Sequence, residues 1–311
     1  MALNRRTRRQ YPHQDHRARP PQSSGLAGAG LRSGTALFES APALVAVAAS
    51  RRRNPGMDLY SFGLAGTAMS TAILSLQNVT FTYPGAVTAL KDLSVTFARG
   101  QRTAVMGRNG SGKTSLFALL NGLQRPQSGE ILFAGNRLRY DRASLLQLRQ
   151  AVGMIFQDPD HQLFSASLYE DVSFGPMNLG LPEVEVRSRV ERALELLDLT
   201  ALLERPVHDL SYGQKKRACI AGILAMQPEV IVLDEPFAGL DAIMTHDLIA
   251  TLNDLGEHGV TLIIATHDVD FVRNWAEEII VLREGELLRQ GVAIEVLQCN
   301  VVQRELGVTR K

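Results

Sequence analysis

The chain contains 311 residues, of which 45% are hydrophobic and 21% charged, with a formal net charge of +1. This length can fill one large or two ordinary globular domains. No apolar run approaches the ~20 residues that a membrane-spanning helix needs. The two cysteines, Cys219 and Cys299, argue against a disulfide framework or a metal cluster and suit a reducing compartment.

The first 72 residues differ in composition from the rest of the chain. They hold ten arginines against Asp15, Glu39 and Asp58, a net charge of +7, so the remaining residues carry −6 of the total of +1. No helix or strand periodicity is sustained in residues 1–72, which predicts a disordered extension. Alternatives are a basic tail for nucleic acid or lipid, a transit peptide, or an over-long gene whose natural start is Met69. The acidic remainder has no basic stripe, so we expect no nucleic-acid partner.

Strand and helix patterns alternate from Ile73 onward. Alternating apolar residues predict strands with one exposed face, and short apolar runs predict buried parallel strands. Helices between buried strands indicate an α/β fold with a parallel core sheet, and the strands around 73–100 predict an antiparallel β side sheet. The predicted strands are 73–83, 93–97, 102–106, 129–133, 152–156, 230–233 and 262–265, and the predicted helices include 115–120, 183–197 and 214–226.

A glycine-rich loop connects the predicted strand 102–106 to the helix that follows it. The loop, Gly107 to Thr114, has the pattern G-x-x-x-x-G-K-[ST], and strand, loop and helix form the context that this pattern needs to bind phosphate. Backbone N–H groups and the helix N-terminus attract the phosphates, Lys113 reaches the β- and γ-phosphates, and the Thr114 hydroxyl holds Mg²⁺. The predicted nucleotide-binding residues here are Gly107, Asn109, Gly110, Ser111, Gly112, Lys113, Thr114 and Ser115.

Two carboxylates end the apolar strand 230–233. Asp234 is the candidate for binding Mg²⁺ through water, and Glu235 is the candidate for orienting or deprotonating an attacking water. Taken alone, such a pair is more often a solvated turn. Downstream of a glycine loop that ends in Lys-Thr, we interpret it as part of a catalytic site.

The stretch Leu210 to Gln214, Leu-Ser-Tyr-Gly-Gln, precedes a predicted helix, so Ser211 could simply be its N-cap. Together with the motifs above, however, it resembles the Leu-Ser-Gly-Gly-Gln signature of ATP-binding cassette (ABC) ATPases, from which Tyr212 departs. The resemblance covers residues 73 to about 295. It implies a P-loop NTPase fold and a head-to-tail dimer with a second copy, whose ATP is contacted in trans by Ser211, Gly213, Gln214 and Asp241.

Three further positions match this family. Gln157 corresponds to the glutamine that senses Mg²⁺ and the transmembrane partner, and His267 to the histidine that contacts the γ-phosphate. Tyr83 corresponds to the aromatic residue that stacks on adenine. The resemblance therefore implies catalytic roles for Glu235, His267 and Gln157, and Mg²⁺ ligands at Thr114, Gln157 and Asp234.

A narrower resemblance lies in residues 156–164 and 211–226, including Gln-Asp-Pro-Asp and Gln-Lys-Lys-Arg. These stretches are similar to the energising ATPases of energy-coupling-factor importers, especially those for cobalt or nickel. The implied protein hydrolyses ATP, uses Mg²⁺, binds transmembrane importer subunits and lies peripherally on the cytoplasmic face of the cell membrane. The transported metal is not expected to touch the chain, which has no His/Cys cluster with ligand spacing.

Other functions remain open on the sequence. The ATPase could serve an importer for a vitamin or amino acids, or could be a soluble ABC ATPase of DNA repair or translation. A P-loop kinase would leave residues 210–214 unexplained. The predicted boundaries are an extension over 1–72, an ATP-binding domain over 73–300 with a helical subdomain near 160–225, and a tail over 301–311.

Overall fold

The computed structural model describes residues 72–85 and 88–308. The predicted extension lies outside this range except for Ala72, as do the last three residues of the predicted tail. The strands are β1 (Ala72–Thr82), β2 (Thr88–Ala98), β3 (Arg102–Met106), β4 (Ser128–Phe133), β5 (Asn136–Arg137), β6 (Val152–Ile155), β7 (Val230–Asp234), β8 (Thr261–Ala265), β9 (Glu278–Arg283) and β10 (Glu286–Val292).

The antiparallel side sheet has the order β2-β1-β4-β5. Its central strand pairs on both sides, with Leu76 opposite Val95 on β2 and opposite Ile131 on β4. These three side chains are buried and share one apolar cluster with Phe117, so the side sheet packs on the core through its apolar face. The predicted side sheet is confirmed.

The central sheet has the order β10-β9-β3-β8-β7-β6. The five strands from β9 to β6 are parallel, and β10 adds an antiparallel edge. Every residue of β7 and β8 is buried, as expected of strands covered on both faces. The predicted parallel core is confirmed, and β9 and β10 are additional strands that the sequence pattern did not predict.

Helices cover both faces of the central sheet, and α3, α4 and α5 form the predicted helical subdomain. Val172, Val190 and Ile220 belong to the apolar cluster of this subdomain. In the described residues no helix is long and apolar enough to cross a membrane. The helices are α1 (Lys113–Leu120), α2 (Arg142–Ala151), α3 (Leu168–Asn178), α4 (Glu183–Leu196), α5 (Tyr212–Leu224), α6 (Ala242–Glu257), α7 (Val269–Trp275), α8 (Ala293–Gln298) and α9 (Asn300–Leu306).

Two helix starts differ from the prediction for local reasons. Helix α1 begins at Lys113 rather than Ser115, because the glycine loop runs directly into its first turn. Helix α5 begins at Tyr212 rather than Gln214, because Ser211 and Gln214 form a reciprocal capping box at its N-terminus. Both shifts bring motif residues into a helical first turn.

Helix α5 carries a buried lysine. Lys216 is 1% exposed, and no ion pair of the described residues includes it. Burial lowers the pKa of Lys216 from 10.5 to about 8, despite opposing electrostatic interactions with Cys219, Glu235, Asp234 and Asp158. Because the unfolded chain keeps the ordinary lysine pKa, it binds more protons than the folded chain between pH 8 and 10.5.

This difference predicts a stability change with pH. Relative to Lys216→Met, the free energy of unfolding of the wild type should rise by ~1–3 kcal/mol as the pH increases from 8 to 10.5. Urea denaturation followed by the fluorescence of Trp275, the one tryptophan of the chain, measures it. Other titrating groups cancel in the difference, so pH profiles of identical shape for the two proteins would contradict the lowered pKa.

Candidate nucleotide site

The site residues come from the carboxyl ends of neighbouring parallel strands. The glycine loop follows β3, Asp234 ends β7, His267 follows β8, and Gln157 follows β6. Parallel strands present their carboxyl ends at one edge of the sheet, where ligands bind in open α/β folds. Four segments that are distant in sequence thus meet along one edge.

At two of its glycines the loop lies so close to other main chain that no side chain would fit. Gly107 has a φ of 147°, and a Cβ there would collide with the carbonyl oxygen of Leu282. Gly112 has a φ of 106°, and a Cβ there would lie 2.8 Å from the carbonyl oxygen of Ala89. These two positions need glycine both for their backbone conformation and for the close approach.

Lys113 is buried beneath this loop. Its Nζ donates to the carbonyl oxygen of Gly107 at 2.7 Å and to that of Arg108 at 3.3 Å. Burial lowers the pKa of Lys113, and the nearby carboxylates of Glu235 and Asp234 oppose that shift. The lysine is therefore a cation whose present partners are neutral carbonyls, which suits it to receive an anionic ligand.

Two neighbouring positions fit the oxygen chemistry of a nucleotide with Mg²⁺. The Thr114 hydroxyl donates to Oδ2 of Asp234 at 2.8 Å. This hydrogen bond brings together, at the end of β7, two oxygen atoms of the kind that Mg²⁺ prefers as ligands. Ser111 is 3% exposed, and its buried Oγ has no hydrogen-bond partner among the residues that the structure describes. Buried hydroxyls are normally paired, so this one suits a ligand oxygen or a water.

Glu235 lies beside this pair in a strained backbone conformation. Its φ is 46°, in the left-handed region that costs a residue other than glycine roughly 1–2 kcal/mol. The carboxylate is largely buried, and its Oε2 lies 3.1 Å from Nδ1 of the exposed His267. The carboxylate and imidazole are thus in hydrogen-bond contact at the end of the cleft.

A cleft of about 470 Å³ connects most of the predicted residues. Tyr83 stands at one end, with 38% of its surface exposed, and its hydroxyl accepts from Ser115 Oγ at 3.3 Å. The volume lies in the range of small-molecule sites. The cleft is lined by Tyr83, Thr88, Ala89, Asn109, Gly110, Gly112, Lys113, Thr114, Ser115, Gln157, Asp234 and Glu235.

A second cleft of about 450 Å³ lies on the other side of the glycine loop and includes Glu235 and His267. Its far wall is the end of α9. Nε of Arg108 donates to the main-chain carbonyl of Glu305 at 3.1 Å and lies 3.6 Å from its carboxylate. The C-terminal helix therefore forms part of the wall of the candidate site.

Ser111 lines neither cleft, and the four residues predicted to contact ATP on a second copy also lie outside both. The Ser211 Oγ accepts from the backbone N–H of Gln214, whose side-chain oxygen accepts from the N–H of Ser211. Gly213 is buried against Met244, and Asp241 caps α6 by accepting from the Met244 N–H at 2.8 Å. Contact of these residues with ATP on a second copy stays a prediction.

Two groups at the site have no separate signal in the sequence. Glu305 lies in the segment predicted as a tail, and it contacts Arg108, 197 positions away. Lys216 stands within the Gln-Lys-Lys-Arg motif without an assigned role, yet its Nζ donates to the main-chain oxygen of Glu235 at 2.7 Å. The one signal in the sequence for a structural role of Lys216 was its position on the apolar face of a predicted helix.

Comparisons with known proteins agree on one family. Residues 90–238 match the family model for ABC transporters. An energy-coupling factor transporter ATP-binding protein of Methanothermobacter thermautotrophicus is 45% identical over 226 residues, which is 73% of each chain. A cobalt import ATP-binding protein of Rhodobacter capsulatus is 47% identical over 227 residues, 73% of this chain and 81% of that one.

Solved structures agree with these relatives. The fold matches that of cbiO1 from Clostridium perfringens, part of the ABC transporter complex cbiONQ. That match has a TM-score of 0.68 and 43% identity, and it covers 77% of this chain and 96% of that one. It also matches a dimeric ATP-binding cassette bound to ADP and phosphate, with a TM-score of 0.65, 28% identity, and coverage of 71% and 98%. The chain therefore belongs to the ATP-binding cassette family, and within it to the ATP-hydrolysing proteins of the energy-coupling-factor type.

Proposed function

We propose that this chain energises a membrane importer of cobalt or nickel by hydrolysing ATP at the cleft beside Glu235. The observation that carries the catalytic part is the contact between the Glu235 carboxylate and His267, next to the Thr114–Asp234 pair. A carboxylate in this position can take the proton of an attacking water. The imidazole of His267 supplies a donor for the γ-phosphate.

ATP binding follows from the same geometry. The adenine stacks on Tyr83 and the phosphates lie along the glycine loop, where Lys113 exchanges its carbonyl partners for phosphate oxygens. Thr114, Asp234 and Gln157 would hold Mg²⁺, which supplies neutralising charge to the phosphates. The Ser111 hydroxyl, unpaired in the described structure, gains a partner in the phosphates or a water.

Hydrolysis would need two copies of the chain. Ser211, Gly213, Gln214 and Asp241 lie outside the clefts of their own subunit, so they are free to contact ATP held by another. The dimeric relative with ADP and phosphate supports this arrangement. Each copy would then contribute the glycine loop to one ATP and the signature helix α5 to the other.

An exposed apolar patch formed by Phe164 and residues of α3 suits a transmembrane partner. Phe164 is 65% exposed, Phe174 50% and Met177 63%. The rings of Phe164 and Phe174 pack edge to face, with their centroids 4.8 Å apart. The N–H groups of Phe164 and Ser165 both donate to Asp171 Oδ2, which fixes the loop on α3. Contiguous exposed apolar groups of this kind are typical of binding surfaces.

The identity of the transported substrate is inferred from the relatives and not from the cleft. The relative from Rhodobacter capsulatus is named for cobalt import, and cbiO1 belongs to a cbiONQ complex. Relatives named only for energy coupling favour the alternative of another substrate, such as a vitamin. In the described residues no group of three His, Cys, Asp or Glu could hold a metal ion, so selectivity would belong to the partner.

The base assignment is tested by Glu235→Gln. The amide cannot accept the proton of water, so we expect turnover at or below ~1% of wild type with ATP binding retained. Because uncleaved ATP stays between two copies, this variant should elute as a dimer with ATP and as a monomer without it. Lys113→Ala in the same background should weaken ATP binding and remove the dimer, and wild-type turnover by Glu235→Gln would refute the assignment.

Adenine stacking is tested by two substitutions of Tyr83. Tyr83→Ala should weaken the binding free energy of ATP by the ~1–3 kcal/mol that an aromatic–base stack contributes, and so raise the Kd. Tyr83→Phe keeps the ring and should change the Kd little. Tyr83→Phe is thus the matched control, because it removes the hydroxyl contact with Ser115 and leaves the ring in place. Equal losses in both variants would assign the affinity to that hydrogen bond instead.

The transport role is tested by uptake of radioactive cobalt and nickel into cells that lack this chain. The wild-type gene should restore uptake, and Glu235→Gln should not. Phe164→Ser should lose uptake while the isolated subunit keeps its ATPase activity, because the patch binds the membrane partner. Val292→Ser, which changes a 53% exposed residue on β10 at the opposite sheet edge, should behave as wild type. Normal uptake of both metals without the chain would favour another substrate.

A further inference from the structure

The buried lysine of α5 has one hydrogen-bond partner, and that partner is the main chain of Glu235. Lys216 Nζ lies 2.7 Å from the Glu235 carbonyl oxygen. In the described residues Lys113 and Lys216 are the two buried lysines, and each reaches the carbonyl of a residue at the candidate site. Lys113 belongs to the phosphate loop, whereas the known motifs leave Lys216 without a role.

The peptide that Lys216 contacts is held at several points. The Glu235 N–H donates to the Ala265 carbonyl at 3.0 Å, and the Glu235 carbonyl accepts from the Ala238 N–H at 3.2 Å as well as from Lys216. The backbone between these contacts has the left-handed φ of 46°. Such a conformation persists only where surrounding contacts determine it, and it sets the direction in which the carboxylate leaves the main chain.

A lysine is a costly donor in this position. It is 1% exposed and, within 72–85 and 88–308, has no carboxylate at ion-pair distance, although Asp234 and Glu235 lie close enough to favour its charge. Burying a cation against neutral partners costs several kcal/mol, which a packed apolar side chain would avoid. The long stem nevertheless carries the ammonium from the second turn of α5 to the peptide after β7.

The first turn of the same helix contacts the neighbouring segments. A Cβ on Gly213 would lie 2.5 Å from Met244 Sδ, and one on Gly239 would lie 2.6 Å from the Tyr212 ring. The Tyr212 hydroxyl also donates to the carbonyl of Gln157 at 3.4 Å. The start of α5 thus touches the Gln157 loop and residues 235–244, both of which flank the cleft.

We propose that Lys216 is a positioning residue for Glu235, holding the Glu235 carbonyl so that the carboxylate faces His267 and the cleft. This inference rests on the proposed role of Glu235 as the base. It adds that helix α5, whose first turn would face ATP on the partner copy, also sets the geometry of the base in its own subunit. Lys216 itself touches no reacting atom.

The test compares Lys216→Met with Lys215→Met in the full chain. Methionine keeps most of the apolar stem of Lys216, lacks only its terminal ammonium, and donates no hydrogen bond. Displacing a reacting group by about 1 Å costs ~100-fold in rate, so we expect kcat to fall ~10- to 100-fold with the Kd for ATP within twofold. Lys215→Met removes the same charge one residue away, where it pairs with Asp160 at 2.7 Å, and kcat should stay within twofold of wild type.

The double variant separates positioning from general damage. If Lys216 acts through Glu235, then Lys216→Met should slow the wild type but not slow Glu235→Gln any further, because residues that act as a unit are non-additive. Further slowing in that background, or a matching loss of ATP affinity, would overturn the inference. Lys216→Gln, which keeps a shorter donor, provides a second variant if the methionine protein unfolds, and it should retain more kcat.

The two proposals fail in different ways. Wild-type turnover by Glu235→Gln would show that Glu235 is not the base, and Lys216 would then have no base to position. Loss of turnover in Glu235→Gln together with wild-type kcat in both Lys216 variants would leave the base intact and refute the role of Lys216.

Discussion

The parallel pairing of β3, β8, β7 and β6 is the constraint on which the site depends. Hydrogen bonds between these strands align their carboxyl ends, so each strand delivers its next residues to the same edge. The phosphate loop, the Asp234–Glu235 pair, His267 and Gln157 are neighbours for this reason alone. A shift of one strand by a single residue would move its side chains to the other face and separate the set.

The edge also concentrates unfavourable features that the fold has to stabilise. Two lysines are buried with carbonyl partners, Glu235 has a left-handed backbone, and Ser111 Oγ is buried without a partner. Strain and unsatisfied groups tend to cluster at functional sites, where the surrounding structure over-determines them. Here the support comes from completely buried strands beneath the site and from the first turns of α5 beside it.

Much of this site could be predicted from the sequence, because its parts are contiguous motifs. Each part can be recognised from a few consecutive residues: the glycine loop, the Asp234–Glu235 pair and the apolar runs of β6, β7 and β8. Strands β9 and β10 were not predicted: charged residues at both ends, Glu278 and Arg283, leave β9 an apolar run of only four residues, and Arg289 interrupts the pattern of β10. Edge position explains this for β10, whose residues are mostly exposed or half-buried.

Contacts between segments that are distant in the sequence could not be predicted from it. Lys216 lies on the buried face of α5 within a string of basic residues, and nothing in that string distinguishes it from the half-buried Lys215. The departure at Tyr212 was visible, but its contacts with Gln157 and Gly239 depend on how α5 packs. A motif specifies which residues are present, and only the packing of elements specifies which of them touch.

The contact between Arg108 and Glu305 has a practical consequence for following nucleotide exchange. It brings the end of α9 to the wall of the phosphate loop, although nearly two hundred residues separate the two in sequence. A small environment-sensitive dye on an introduced cysteine at Val308, three residues beyond Glu305, would report on the end of α9, and Val308 lines neither cleft. The C-terminal helix thereby offers an optical reporter position from which binding and release could be timed in a working transporter.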